Sequence, residues 1–158
     1  MKFTQKFLGK NHPSHTGRIF PNGRPDTITI HWTGEKVLQS PETVWQHFYS
    51  IKTQEAAHFI VKNDEIIQCI PLPHTAYHCG NVVGNNTSVS IEVIAENTLG
   101  EFSKKSIQTL RELYFLLGQL PLVRHYDWNN KDCPRYYIDE TRWSKLKSQI
   151  ASDSPLPD

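Results

Sequence analysis

The chain has 158 residues, a formal net charge of +1, 37% hydrophobic residues and 21% charged residues. That length supports one compact domain burying about 70% of its unfolded surface, and the near-zero charge leaves no electrostatic footprint for nucleic acid. No run approaches the roughly 20 apolar residues of a membrane span, so no membrane insertion is expected. The opening MKFTQKFLGKN has basic residues but no apolar core of a secretory signal.

The first twenty-five residues carry the turn-rich stretches NHPSHTG and PNGRP and predict an irregular lead-in. DTITIHW then alternates β-branched and polar residues, a strand that closes at His31. Ser40 precedes Pro41 and Glu42, the pattern of an N-cap with proline at the first helical position. The helix that follows places Val44, His47/Phe48 and Ile51 on one face. AHFIVK and EIIQCIP are two strand-like runs joined at Asn63-Asp64, a hairpin signal.

LPHTAYHCGNVVGNNT holds too many glycines and asparagines for regular structure and reads as a loop. SVSIEVIAE returns to alternation, with Val89, Ile91 and Val93 on one face and Ser90, Glu92 and Ile94 on the other. Ser103 opens an amphipathic helix through KKSIQTLRELYFLLGQL, its Ile107, Leu110, Leu113/Tyr114 and Leu117 facing inward. LVRHY is a short fifth strand, and a last helix from about Asp139 carries Trp143, Leu146 and Ile150 on one stripe. Interleaved strands and helices predict an α/β domain over residues 1–150, one mixed central sheet flanked by helices. Residues 151–158 end in SDSPLPD, a linker-like composition that suits a connection to a further module.

Three cysteines, Cys69, Cys79 and Cys133, leave at least one unpaired within the chain. A Cys69–Cys79 disulfide is disfavoured, because without a secretory signal the thiols belong to a reducing compartment. Cys133 has the more informative surroundings, in VRHYDWNNKDCPR. Asn129, Asn130 and Asp132 make the middle of that stretch a turn, and Pro134 restricts the backbone of Cys133. His125 lies eight residues before the cysteine and Lys131 two before it.

Neutral imidazoles and a thiolate are good zinc ligands, and three of them leave the fourth tetrahedral position open, as in catalytic sites. His31 closes a strand in the same way that His125 does, but spacing alone does not bring it to the other two. A structural zinc would want four protein ligands with CxxC spacing, which is absent. The plainer reading of the pair, a surface histidine and a core cysteine, stays open on pattern alone.

In this order ITIHWTG, AAHFIVKNDEIIQCIPL, AYHCGN, NNTSVSIEVIAE and RHYDWNNKDCPR resemble the zinc-dependent N-acetylmuramoyl-L-alanine amidases. This is the amidase class related to peptidoglycan recognition proteins, and the likeness is strongest to catalytic modules of bacteriophage endolysins and prophage autolysins. It covers about residues 26–145. The resemblance implies one Zn2+ per chain on His31, His125 and Cys133, with Glu92 as catalytic acid/base and Lys131 as catalytic cation. It implies hydrolysis of the amide between N-acetylmuramic acid and the L-alanine of the stem peptide, with bacterial peptidoglycan as partner and a monomeric enzyme. It also implies synthesis in the bacterial cytoplasm and action on the wall after holin-type export or lysis.

One departure bears on mechanism: some phage members carry a catalytic tyrosine where this chain has Ala57, which shifts weight onto Glu92. His58 and His78 are candidates for the substrate groove, with a structural role as the alternative for each. Among the tryptophans Trp32, Trp45, Trp128 and Trp143, Trp128 is the candidate for touching glycan or peptide, and Asn86 is a candidate peptide-binding amide. His12, His15, His47 and His74 receive no role. Two other functions remain: a non-catalytic muropeptide-binding module, and a metal-free hydrolase with Cys133 as nucleophile and His125 as base.

Overall fold

The computed structural model describes residues 1–36, 39–50, 52 and 54–153. Its elements in chain order are β1 (Lys2–Gln5), β2 (His15–Ile19), β3 (Thr27–Trp32), α1 (Pro41–Ser50), β4 (Phe59–Lys62), β5 (Glu65–Gln68) and β6 (His74–Ala76). There follow α2 (Val82–Thr87), β7 (Ser88–Val93), α3 (Lys104–Leu116), β8 (Leu122–Arg124), α4 (His125–Asn129) and α5 (Glu140–Ala151). Six strands form one mixed sheet in the order β1-β5-β4-β7-β3-β8, and β2 pairs with β6 in a separate two-stranded ribbon. The α/β class with one mixed central sheet and flanking helices is as expected.

Several local expectations are met by identifiable contacts. The Ser40 hydroxyl accepts from the Thr43 amide and caps α1. Ser103 caps α3 and Asp139 caps α5 through the amides of Ser106 and Arg142. β4 and β5 are antiparallel with Lys62 opposite Glu65, so Asn63-Asp64 is the hairpin turn. The helix expected to run to Leu120 stops at Leu116, because Gly118 and Gln119 adopt positive φ. There the Gln119 amide returns to the Tyr114 carbonyl, a glycine-dependent stop.

Two stretches expected to be irregular, the lead-in and the loop before β7, hold structure. Residues 2–5 form β1, whose side chains are all exposed, so alternation was invisible; parallel pairing with β5 holds it. In the predicted loop before β7, three residues form β6 and six form α2, a helix of poor formers that Asn81 caps by accepting from the Gly84 amide. The LVRHY strand ends at Arg124, and His125 begins α4. Ile51 and residues 154–158 of the tail lie outside the described residues.

Apolar cores cover both faces of the sheet. Ile28, Ile30, Val89, Ile91 and Val93 pack under α3 and α5, against Ile107, Leu110, Trp143, Leu146 and Ile150. On the other face Ile60, Ile67 and Ile94 pack against Val44 and Phe48 of α1. Thr29, His31, Ser90 and Glu92 point to that second face from the central strands, since they alternate with the first set. All three cysteines are free thiols. No described helix is long and apolar enough to cross a membrane.

Leu110 is 1% exposed and lies far along the chain from the polar residues of β3 and β7. Leu110→Ala is expected to lower stability by about 2–5 kcal/mol, read as a shift of the urea midpoint at unchanged slope. A loss under about 1 kcal/mol would show that α3 does not close this core.

Candidate functional site

β3 and β7 are parallel neighbours, and their register sets His31 directly beside Glu92 near the carboxyl ends of both strands. β8 flanks β3 on the other side, with Arg124 opposite Ile30, so the next residue, His125, emerges at the same end. The carboxyl ends of parallel strands are where open α/β sheets place their ligand sites. Here the loops form a cleft of about 600 Å³ lined by His31, Glu92, His125, Lys131 and Cys133 together with Glu55, Tyr77, His78, Asn85 and Asn129.

Arg124 holds the turn that brings Cys133 back. Its guanidinium is buried, donates to both carboxylate oxygens of Asp127 and to Glu140, and donates to the carbonyls of Tyr137 and Ile138. The Tyr126 amide donates to the Cys133 carbonyl at 2.8 Å, closing the loop, and Asn130 supplies a left-handed residue at the end of α4. Thus His125 and Cys133 stand at the two ends of one cross-braced turn.

The three candidate ligands converge. His125 Nδ1 lies 3.0 Å from His31 Nδ1, and Cys133 Sγ lies 3.7 Å from the same atom. One ligand atom from each residue falls within 4.8 Å of the others, and all three side chains are buried. Zinc–nitrogen bonds of 2.0–2.1 Å and a zinc–sulfur bond of 2.3 Å at tetrahedral angles require edges of roughly 3.3 Å (N···N) and 3.6 Å (N···S). The two edges at His31 Nδ1, 3.0 and 3.7 Å, are close to those lengths, and the donor set suits a divalent ion with one open position.

The electrostatics suit metal ligation. Burial, with the neighbouring imidazoles of His78 and His125, drives the His31 pKa well below its ordinary value. Burial, then the Lys131 charge, lowers His125 to about 4. Both rings are thus neutral at pH 7, as ligands must be. Burial pushes the Cys133 thiol far up, with Glu92 adding to the effect, so the bare thiol stays protonated. Glu92 Oε1 lies 3.9 Å from His31 Nδ1, while Oε2 is buried without a hydrogen bond to any described residue. Burial, then the Glu55 charge, raises the Glu92 pKa to about 8, and Lys131 opposes the shift.

The four substrate-binding candidates divide. His78 lines the cleft, but both its ring nitrogens are engaged, Nδ1 with His31 Nε2 at 3.0 Å and Nε2 with the Gly84 carbonyl at 3.2 Å. His58 is fully buried behind it, held between Ser90 and the His74 carbonyl. The Trp128 indole donates to Thr29 beneath the cleft. Asn86 is not among the cleft-lining residues, whereas Asn85 is, its Oδ1 accepting from the amides of His78 and Cys79.

Ala57 is fully buried in the α1-side core; the tyrosine in the cleft lining is Tyr77. Tyr77, Asn85, Asn129 and Glu55 also line the cleft, a place the sequence alone did not assign to them. Tyr77 lies in AYHCGN, Asn85 in NNTSVSIEVIAE and Asn129 in NNKDC, but Glu55 gave no signal at all.

A family model described as N-acetylmuramoyl-L-alanine amidase (Amidase_2) matches residues 21–136. The chain belongs to this amidase family. It is 31% identical over 142 residues to the N-acetylmuramoyl-L-alanine amidase CwlH of Bacillus subtilis (strain 168), covering 84% of this chain and 56% of that protein. It is 30% identical over 134 residues to the amidase XlyA of the same organism, covering 80% and 44%. The chain thus spans about half the length of the curated relatives it matches. The solved catalytic domain of XlyA superposes with a TM-score of 0.80 at 26% identity, over 96% of this chain and 100% of that one. The structure of PlyL shares the fold at 22% identity, with a TM-score of 0.79 over 98% and 99%.

The Glu92 carboxyl gives the metal-free protein a pH signature. The folded state holds a proton up to about pH 8 that the unfolded chain releases near pH 4.5. Rising pH therefore costs the native state stability between those values. Glu92→Gln removes this penalty, so in chelator its stability advantage over the native chain is expected to grow by at least about 1 kcal/mol from pH 5 to pH 8. Urea midpoints at the two pH values measure it, and an advantage that shrinks with pH would contradict the placement of Glu92.

Proposed function

We propose that this domain is a zinc-dependent N-acetylmuramoyl-L-alanine amidase, cutting the amide between the lactyl group of N-acetylmuramic acid and the L-alanine of the stem peptide. The observation that carries the reading is the convergence of His31, His125 and Cys133 with Glu92 beside them in one cleft. Similarity to amidases CwlH and XlyA supports the same bond. On this reading bacterial peptidoglycan is the partner and the biological role is that of an endolysin or autolysin acting on the wall.

His31, His125 and the Cys133 thiolate would hold the ion, which supplies Lewis acidity toward water and the scissile carbonyl. Glu92 takes the proton from the attacking water and returns it to the departing amine of L-alanine. Its place in the cleft, opposite His31 on the neighbouring strand, suits a group that must both accept and release a proton. Lys131 is exposed at the cleft rim, and its charge reaches His31, His125, Glu92 and Cys133. From there it stabilises the negative charge that builds on the carbonyl oxygen, an effect worth roughly 3–4 kcal/mol for one donor.

The thiol-nucleophile reading fares worse. A nucleophilic cysteine needs a lowered pKa, and burial moves Cys133 the other way. That reading also leaves His31 without a task.

On purified walls the domain is expected to release free stem peptides, identified by mass spectrometry. A chelator should abolish release and added zinc restore it. Cys133→Ser and Glu92→Gln should each lower the rate at least about 100-fold, and Lys131→Ala about 100- to 1,000-fold. Full activity in both Cys133→Ser and Glu92→Gln would overturn the mechanism.

A further inference from the structure

Ligation by His31 requires Nδ1 to be bare of its proton, and nothing in the sequence of β3 selects that tautomer. The segment 77–85 does. His78 is buried between other imidazoles, makes no hydrogen bond to a carboxylate among the described residues, and is therefore a neutral ring with a single N–H. Its Nε2 faces the Gly84 carbonyl at 3.2 Å, and a carbonyl only accepts, so the proton sits on Nε2. That leaves His78 Nδ1 as an acceptor, 3.0 Å from His31 Nε2. His31 must then carry its proton on Nε2 and direct the Nδ1 lone pair at Cys133 Sγ and His125 Nδ1.

We propose that His78, anchored on the Gly84 carbonyl, is a positioning residue that fixes the metal-binding tautomer and ring orientation of His31. The inference rests on the reading of His31 as a metal ligand. It gives His78 a task other than touching substrate.

The anchor itself is built to stay in place. Asn81 caps Gly84 through its amide, and Asn85 Oδ1 pins the backbone amides of His78 and Cys79 at 2.9 and 3.0 Å. Gly84 packs so closely that an added Cβ would meet Cys79 Sγ at 2.5 Å and the Trp128 ring at 2.8 Å. Only glycine lets this carbonyl approach the imidazole. The loop composition of NVVGNN thus has a physical purpose, because the same residues form a short braced helix under the ligand. Partners that orient ligating histidines in this way are typically worth ten- to a hundredfold in metal affinity.

The test is the affinity of the metal-free protein for Zn2+, measured by competition with a chromophoric chelator, for the native chain and three variants. Asn places Oδ1 where His78 has Nδ1, whereas Gln places its NH2 where His78 has Nε2. His78→Asn is therefore expected to bind zinc within about threefold of the native chain, and His78→Gln and His78→Leu ten- to a hundredfold more weakly. A merely structural contact with Gly84 predicts the reverse order for Asn and Gln, which would overturn the inference. So would native affinity in all three variants. A native chain that binds no zinc would overturn the metal reading as well, which separates the two failures. Should the variants fail to fold, the imidazole nitrogens of the 15N-labelled native protein with zinc decide: the Nε2–H tautomer is expected at His78, and the Nδ1–H tautomer overturns the proposal.

Discussion

The parallel register between β3 and β7 is the constraint on which the site depends. It sets His31 against Glu92 across one hydrogen-bonded step, and the alternation of the two strands turns both side chains to the same face. A slip of one residue would send either side chain into the apolar core under α3 and α5. That core is what forbids the slip: Ile28, Ile30, Val89, Ile91 and Val93 fill it from the opposite face of the same strands. Chemistry on one face is thus fixed by hydrophobic packing on the other.

The second half of the site is held by polar contacts. Arg124 ends β8 and spends its donors on Asp127, Glu140 and two backbone carbonyls, so a buried cation braces the turn between His125 and Cys133. Removing such a group would leave several acceptors unpaired, which is costly in a buried setting. The cleft then gathers groups that water would otherwise keep apart: two neutral imidazoles, a protonated thiol and a carboxyl with a raised pKa. Each is shifted toward its uncharged form, the state expected of a buried cluster of ligands.

The strands and helices that bury one face were legible in the sequence, because alternation and caps are local. ITIHW, SVSIEV and the helices opened by Ser40, Ser103 and Asp139 lie where those signals put them. β1 was not, since its four residues are all exposed and only pairing with β5 makes them a strand. α2 was not, since VVGNNT has glycine and asparagine where helices favour other residues, and its geometry comes from the Asn81 cap and the packing around Gly84. Of the site, spacing offered only His125 with Cys133. His31 joined them through family resemblance, because a contact between residues 94 positions apart leaves no local trace. His78 and Asn86 shared a candidate role in substrate binding, yet the structure engages both nitrogens of the first and puts Asn85 rather than Asn86 at the cleft.

The most direct test of this account is zinc K-edge X-ray absorption on the protein loaded with one equivalent of zinc. Two imidazole nitrogens at about 2.0–2.1 Å, one sulfur at about 2.3 Å and one further light atom are expected. A spectrum without a sulfur neighbour, or with a single imidazole, would contradict it.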